Sequence, residues 1–165
     1  MTRIGLLSDT HGILHPRIFD FFANCNEIWH AGDIGNVEIT DKLSAFKPLR
    51  AVYGNIDGGK LRVIFNEYEV FTIENVKVVM LHIGGYPGRY TAKAKELIAQ
   101  HKPKLFISGH SHILKVMPDH KNSLLHINPG AAGKSGFQKF ITFVRFEING
   151  SSIENLEVFE TKLMR

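Results

Sequence analysis

Residues 3–11 have the sequence RIGLLSDTH. Residues 27–33, EIWHAGD, and residues 49–55, LRAVYGN, have the same pattern. Each stretch is an apolar, strand-like run that ends in a polar group. The segments near Pro16–Cys25 and Val37–Phe46 separate these runs and have the apolar spacing of amphipathic helices. Alternation of strands and helices is typical of a parallel sheet covered by helices. Ligands of such sheets gather beyond the carboxyl ends of the strands, where Asp9, Asp33 and Asn55 fall.

The rest of the chain predicts a hairpin, one more helix and several further strands. The hairpin comprises Glu67–Ile73 and Val76–Leu81, and a helix over about Arg89–His101 follows a glycine-rich loop. Asn149-Gly150 predicts a type I′ turn between the last two strands. The other predicted strands are Arg3–Ser8, Glu27–Ala31, Leu49–Tyr53, Leu105–Ser108, Leu114–Met117, Leu124–Asn128, Lys139–Ile148 and Ser152–Glu160. We therefore expect an α/β protein in which two mixed sheets pack face to face between outer helices, as one domain over residues 1–165.

The composition indicates a folded protein and excludes few partners. The chain has 165 residues, of which 44% are hydrophobic and 22% are charged, and these values argue against disorder. It has no apolar run of membrane-spanning length and no signal-peptide pattern, and its single cysteine, Cys25, cannot form an internal disulfide. We expect a cytoplasmic protein with Cys25 in the core or at a helix end. The net charge of +4 is compatible with an anionic substrate or a nucleic acid and identifies neither.

Two further motifs follow apolar, strand-like runs. One is His82, and the other is Gly109-His110-Ser111-His112. Side chains two positions apart on an extended backbone share a face, so Asp9 and His11 are predicted to point to one side, as are His110 and His112. A lone Gly54-Asn55 pair more often marks a turn. The complete set supplies oxygen and nitrogen ligands for two neighbouring metal ions: Asp9, His11, Asp33, Asn55, His82, His110 and His112.

In their order along the chain, these motifs resemble those of the calcineurin-like metallophosphoesterases, and most closely the short single-domain phosphodiesterases of that superfamily. The residues that carry the resemblance are Ser8-Asp9-Thr10-His11-Gly12, His30-Ala31-Gly32-Asp33, Gly54-Asn55-Ile56-Asp57, His82, Gly109-His110-Ser111-His112 and Asn128-Pro129-Gly130. The resemblance implies an α/β/β/α sandwich with a dinuclear centre. By the family pattern, Asp9, His11, Asp33 and His112 would hold one metal ion. Asp33, Asn55, His82 and His110, the four residues predicted to be catalytic, would hold the other.

The ligand chemistry is consistent with this arrangement. Two dications about 3.5–4 Å apart repel each other and need an anionic bridge, for which Asp33 is placed. Carboxylate, amide and imidazole ligands without a thiolate suit Mn²⁺ first, and also Fe, Zn or Ni. The predicted reaction is hydrolysis of a phosphodiester by in-line attack of a metal-bridging hydroxide.

The chain departs from the family pattern at two positions. Ile56 stands where larger members commonly have a histidine that protonates the leaving group. His82-Ile83-Gly84 stands where short members often have His-Gly-His. These departures leave the general acid unassigned and favour activated diesters over unactivated monoesters.

Four other residues have two readings each. Asp57 can orient a ligand or the Asn55 loop, or it can cap a turn. His30 can support the ligands or fill the core. Arg89 and Tyr90 can contact the phosphate or base of a substrate, or they can begin a solvated helix.

Two classes of function follow. The first is a hydrolase acting on a small, nucleotide-like or cyclic phosphodiester. The second is a protein-interaction scaffold of the same fold, because a retromer subunit of this fold serves largely in that way. No nucleic-acid-binding module and no membrane segment is recognisable, and a homo-oligomer is compatible with the sequence.

Overall fold

A computed structural model describes residues 1–164 of the chain. Within that range the chain forms ten strands and four helices. In chain order the elements are β1 (Thr2–Leu7), α1 (Arg17–Phe21), β2 (Glu27–His30), α2 (Val37–Phe46), β3 (Leu49–Ala51), α3 (Lys60–Ile64), β4 (Tyr68–Ile73), β5 (Val76–Leu81), α4 (Ala92–His101), β6 (Leu105–Ile107), β7 (Leu114–Asp119), β8 (Leu124–Pro129), β9 (Phe140–Asn149) and β10 (Ser152–Lys162).

The strands form two mixed five-stranded sheets, as the sequence predicts. The first has the order β10-β9-β1-β2-β3 and the second has the order β4-β5-β6-β8-β7. Strands β1, β2 and β3 run parallel, and so do β5, β6 and β8. The loops that follow β5 and β6 contact the loop that follows β1, so the carboxyl ends of the parallel strands of both sheets lie at one edge of the molecule.

Three apolar layers hold the sheets and helices together. The middle layer lies between the sheets, where Ile4 and Leu6 of β1 pack with Val78 and Met80 of β5. Alternate residues of the same strands face outward. Leu7 packs under α1 and α2, and Val79 packs under α4. Both faces of the central strands are buried, which explains their nearly continuous apolar sequence. The layering confirms the predicted α/β/β/α sandwich.

Helix α1 is shorter than predicted, because it ends at Phe21 and not near Cys25. The ring of Phe22 packs over β1 so closely that a Cβ at Gly5 would lie 2.7 Å from it. The backbone then turns back to the sheet, and the Asn26 N–H donates to the Arg3 carbonyl at 2.7 Å. Cys25 is buried in this turn, which confirms the structural reading of that residue, and burial raises the pKa of its thiol to about 11.

Two other local predictions were wrong. Helix α3 was not predicted, because it has only five residues and exposes Val63 and Ile64, so it has no apolar periodicity. The last hairpin pairs Asn149 with Ser152, so its loop is Gly150-Ser151. Gly150 alone has a positive φ there, which is the pattern of a type II′ turn and not type I′.

Among residues 1–164, no helix is long and apolar enough to cross a membrane.

Candidate metal centre

The seven predicted ligands all lie in loops that leave the carboxyl ends of parallel strands. Asp9 and His11 follow β1, Asp33 follows β2, and Asn55 comes a few residues after β3. His82 directly follows β5, and both His110 and His112 come after β6. The first sheet therefore contributes four of these residues and the second contributes three. The structure brings all seven to one edge of the molecule.

Six of the seven residues form two groups in which one ligand atom per residue lies within 4.8 Å of the others. The first group comprises Asp9, His11 and His112, and the second comprises Asp33, His82 and His110. His112 Nε2 lies 3.1 Å from Asp9 Oδ1 in the first group. His82 Nε2 lies 3.2 Å from Asp33 Oδ1 in the second. Each group has the ligand types and spacing of a metal-binding site.

Asp33 faces both groups, one carboxylate oxygen toward each. Its Oδ2 lies 3.4 Å from His11 Nε2, and its Oδ1 lies 3.2 Å from His82 Nε2. The seventh residue, Asn55, belongs to the second group, because its Oδ1 lies 3.1 Å from His82 Nε2 and 3.0 Å from His110 Nδ1. The two groups are therefore neighbours that share one carboxylate.

Unpartnered polar atoms mark the first group. Within the described residues, three buried side-chain polar atoms lack a hydrogen-bond partner, and two of them are Asp9 Oδ1 and His11 Nε2. Leaving such atoms buried and unpaired costs about 1–3 kcal/mol each. A metal ion bound between them would satisfy both, so these residues fit a metal ion.

Hydrogen bonds also fix the orientation of two of the histidine rings. His82 Nδ1 lies 2.7 Å from the Ala31 carbonyl, and His112 Nδ1 lies 2.9 Å from Gln138 Oε1. A carbonyl oxygen accepts only, so in both rings Nδ1 carries a proton and Nε2 is the nitrogen that faces a carboxylate of the cluster. Outer partners of this kind orient metal-binding imidazoles.

The electrostatics of the cluster favour cations. Burial opposes the charge of Asp9, but the neighbouring His11, His112 and His82 rings outweigh it, and the pKa of the carboxyl lies well below its usual range. Burial likewise opposes ionisation of Asp33, whose pKa is nevertheless lowered by His82 and the Ile56 N–H. Both carboxylates are therefore ionised at neutral pH.

The side chains converge through turns and not through strand alternation, which corrects one step of the sequence argument. Strands β1 and β6 end at Leu7 and Ile107, before the ligands begin. Five of the ligands have a left-handed backbone, with φ between 47° and 71°: Asp9, His11, Asp33, His110 and His112. As a result His110 and His112 enter different groups, although the alternation argument placed them on one side.

Asp57 ties two of the ligand loops together. Its carboxylate accepts from the backbone N–H groups of Ile34 at 3.0 Å, Gly35 at 2.9 Å and Gly54 at 2.9 Å. Asp33 directly precedes Ile34 in the chain, and Asn55 directly follows Gly54. Of the two readings of Asp57, the contacts match the one in which it orients the Asn55 loop.

His30 joins the loop that follows β1 to the loop that follows β2. Its Nδ1 accepts from the Gly32 N–H at 3.1 Å, and its Nε2 lies 2.9 Å from Thr10 Oγ1, which donates to the Ile34 carbonyl at 2.8 Å. Burial lowers the pKa of the ring to about 4, so His30 is neutral at pH 7. His30 is therefore both a buried histidine and a support of the ligand loops.

The loop that carries His110 and His112 has its own supports. Asn128 Nδ2 donates to the Gly109 carbonyl at 3.0 Å and to Ser111 Oγ at 3.1 Å, and so holds this loop to β8. Gln138, which orients His112, was not predicted. It stands 26 positions away in an exposed loop, and no local pattern marks it.

Arg89 and Tyr90 lie apart from the ligands. The Tyr90 hydroxyl donates to Asp119 Oδ2 at 2.8 Å, and its ring packs against Phe106. Within the described part of the chain, no hydrogen bond or ion pair joins either residue to the two groups. Their contact with a substrate stays a prediction.

Comparison with known proteins identifies the family. Residues 2–151 match the calcineurin-like phosphoesterase superfamily domain, so the chain belongs to this family of metallophosphoesterases. It is 32% identical, over 136 residues, to a probable metallophosphoesterase of Methanocaldococcus jannaschii, a match that covers 78% of this chain and 67% of the relative.

Two solved structures share the fold at low sequence identity. A single-mutant Vps29 from Entamoeba histolytica superposes with a TM-score of 0.76 at 19% identity, covering 97% of this chain and 98% of Vps29. A novel archaeal phosphodiesterase superposes with a TM-score of 0.74 at 20% identity, covering 95% of this chain and 99% of that protein. Both confirm the fold class.

Proposed function

We propose that the protein is a phosphodiesterase that binds two divalent metal ions at the junction of the two sheets. The observation that carries this proposal is the pair of neighbouring ligand groups that share Asp33. The unpartnered Asp9 Oδ1 and His11 Nε2 support it, because they are buried at a cost that a bound cation would remove. Membership of the metallophosphoesterase family makes hydrolysis of a phosphate ester the expected reaction.

The ligand assignment follows the geometry. Asp9, His11 and His112 would hold the first ion, and His82, His110 and Asn55 would hold the second. Asp33 would bridge them, because its two oxygens face different groups. A shared anion between two cations reduces their mutual repulsion.

The donor set limits the identity of the ions. Imidazole, carboxylate and amide ligands without a thiolate suit first-row dications, and we propose Mn²⁺, with Fe, Zn and Ni as alternatives. When bound, two such ions would lower the pKa of a shared water and neutralise the charge of the phosphoryl oxygens.

The chain's own residues hold the centre in place. Asp57 and His30 fix the loops that carry Asp33 and Asn55, and Gln138 and the Ala31 carbonyl fix the rings of His112 and His82. Positioning of this kind lets a substrate be held with its reacting atoms aligned. The N–H of Ile56 donates to Asp33 Oδ1 at 3.1 Å and so orients the bridging carboxylate.

Diester specificity is supported by the residue at position 56. The Ile56 side chain is exposed beside Asn55 and offers no proton to a leaving alcohol. Without a general acid there, substrates with a good leaving group react most readily. We therefore propose an activated diester as the substrate class.

Metal reconstitution tests the proposal. The protein is stripped with a chelator, reloaded with Mn²⁺, Fe²⁺, Zn²⁺ or Ni²⁺, and assayed on bis-p-nitrophenyl phosphate and p-nitrophenyl phosphate. We expect two ions per chain and faster hydrolysis of the diester. Folded protein that binds metal but hydrolyses neither ester would contradict the proposed activity.

A protein-interaction scaffold of the same fold is the second candidate, and the likeness to Vps29 is in its favour. Elemental analysis separates the two. Folded protein that takes up no stoichiometric metal from any of the four solutions would support the scaffold. A cytoplasmic location is a further prediction from the sequence, which fractionation would test. The sequence is compatible with a homo-oligomer, and light scattering would measure the oligomeric state.

A further inference from the structure

A second feature lies directly beside the candidate metal centre. It is a cavity of about 230 Å³ on the outer face of the second sheet, between the loop that follows β5 and the turn that follows β6. We call it the ring cavity. Its walls include Ile83, Tyr86, His110 and Ile113, and its floor includes His126. Drug-sized ligands occupy pockets of about 300–1,000 Å³, so a cavity of this size suits a smaller group such as one ring system.

His110 connects the ring cavity to the metal centre, because it belongs to the second ligand group and also forms part of the cavity wall. A phosphoryl group held at that centre would place one of its ester arms next to the cavity. The cavity is therefore within reach of a group that is covalently attached to the phosphate.

The floor of the ring cavity holds an unsatisfied hydrogen-bond acceptor. His126 is fully buried on β8, and its Nδ1 lies 3.1 Å from the Phe106 carbonyl, to which it must donate. Its Nε2 therefore carries a lone pair and no proton. This nitrogen is the third of the three buried side-chain atoms that have no partner within residues 1–164. Burial lowers the pKa of the ring to about 4, which keeps it neutral.

The acceptor has a cationic donor as its neighbour in the cavity. Lys115 also lines the cavity, and its Nζ lies 3.6 Å from the centre of the Tyr86 ring. Both side chains are partly exposed, so they can move aside to admit a ligand. A lysine only donates, whereas His126 Nε2 only accepts. Thr91, Ser111 and Asn128 also line the cavity, but their side chains are already hydrogen-bonded within the protein. The cavity thus has apolar sides and offers a ligand the acceptor of His126 and the donor of Lys115.

We propose that the ring cavity binds one ester arm of the substrate and that this arm carries a nucleobase with an N–H donor beside a carbonyl acceptor, as in uracil, thymine or guanine. The N–H would donate to His126 Nε2, and Lys115 would donate to the carbonyl. The flat faces of the ring would pack against Ile83, Ile113 and Tyr86. This inference rests on the proposed phosphodiesterase function and specifies its substrate class.

The test compares p-nitrophenyl diesters that differ only in the retained arm. The arms are thymidine, N3-methylthymidine, phenyl and methyl, and the protein is the full chain loaded with Mn²⁺. We expect kcat/KM to be about tenfold or more higher for thymidine than for N3-methylthymidine, because methylation leaves the buried acceptor unpaired. A His126→Phe variant should reduce this ratio to near one, and a His120→Phe variant should keep it.

The possible results of this comparison separate the cavity proposal from the proposed function. Equal kcat/KM for thymidine and N3-methylthymidine would overturn the proposal while leaving the phosphodiesterase function intact. A phenyl arm as good as thymidine would also overturn it, because the cavity would then select any apolar ring. If no diester is hydrolysed, the proposed function is wrong, and calorimetry with thymidine and N3-methylthymidine 5′-monophosphates decides on the cavity alone. Tenfold weaker binding of the methylated nucleotide would support the proposal, and equal binding would overturn it.

Discussion

Left-handed backbone occurs at both ends of the sheets, but the two ends support it differently. At the amino ends of the strands, Glu74, Lys102 and Ser123 have φ values of 48–51° and are exposed. At the carboxyl ends, five candidate ligands share this conformation and converge on one site. The conformation costs roughly 1–2 kcal/mol per residue wherever it occurs.

The difference lies in the contacts around the turns. Asp57 and His30 join the ligand loops to one another, and Asn128 holds the loop of His110 and His112 to β8; all three are buried. Strained backbone persists when surrounding structure over-determines it. The carboxyl edge is therefore held by a buried, connected network. Of the exposed turns, the one at Glu74 is held by exposed bonds to Thr2 and the Gly150 N–H, and the one at Lys102 closes on its own helix through the Ile98 carbonyl. The following predictions test that contrast.

The largest effect is expected for Asp33→Asn. The amide removes the negative charge shared by the two groups, so we expect kcat/KM on bis-p-nitrophenyl phosphate to fall on the order of 10³-fold, with fewer ions bound per chain. Metal analysis and steady-state kinetics measure both effects. The control is Asp119→Asn, a buried carboxylate outside the centre, and a similar loss in that variant would show that the effect is not specific to the site.

Asp57→Asn should weaken the site without removing a ligand. Its carboxylate accepts three backbone N–H groups from two loops, and an amide side chain cannot reproduce all three. We expect metal affinity to fall roughly 10–100-fold. Competition with a chromogenic chelator measures the change. Unaltered affinity would mean that the loops hold their shape without this residue.

Low pH should destabilise the metal-free protein through its buried histidines. Burial lowers the pKa of both His30 and His126 to about 4, whereas an unfolded histidine titrates near 6.5. The unfolded chain thus binds more protons between pH 6.5 and 4, so stability present above pH 6.5 is lost as the pH falls toward 4. Each residue accounts for about 3 kcal/mol. Urea denaturation at pH 7.5, 6 and 5 measures the loss.

The matched variant for this experiment is His126→Gln, which removes one of the two titrating rings and leaves the ligand loops unchanged. Its stability should fall less steeply with decreasing pH than that of the wild type over the same range. Parallel pH profiles for the two proteins would contradict the assignment of the effect to buried neutral histidines.

The smallest effect is expected at an exposed turn. Lys102 ends α4 with a φ of 48°, a position where glycine has no steric penalty. Lys102→Gly should raise the free energy of unfolding by about 1 kcal/mol, as measured by denaturant titration. Replacement of His112 by glycine should abolish metal binding, even though the backbone of His112 is also left-handed. A destabilised Lys102→Gly variant would argue that the exposed turns also rely on side-chain contacts.

Local patterns predicted the layered fold and the candidate ligands, because apolar strands of fixed period and polar residues at their ends are encoded over a few positions. Helix α2, Val37–Phe46, and strand β5, Val76–Leu81, have the predicted bounds. The supports were harder to predict. The bonds of Asp57 to Gly35 and of Gln138 to His112 join residues 22 and 26 positions apart, and only the assembled structure brings them together.

The left-handed backbone conformation of the candidate ligands was also not predicted. Asp9 and Asp33 are not glycine, and although aspartate adopts a positive φ more often than most residues, it does so too rarely for the residue type to predict it. Helix α3 was not predicted for a related reason. It has five residues, and because Val63 and Ile64 are exposed, its sequence has no apolar periodicity.

The order of the strands along the chain has a consequence for folding. Strands β4 to β8 form the second sheet from one continuous segment, whereas the first sheet needs β9 to pair with β1, and Thr2 lies opposite Ile148. Closing so long a loop slows folding, because chain entropy is lost before the contacts form. We therefore expect a nascent chain to complete its second sheet first. The candidate metal centre would then be among the last parts to mature, when the hairpin of β9 and β10 docks on β1.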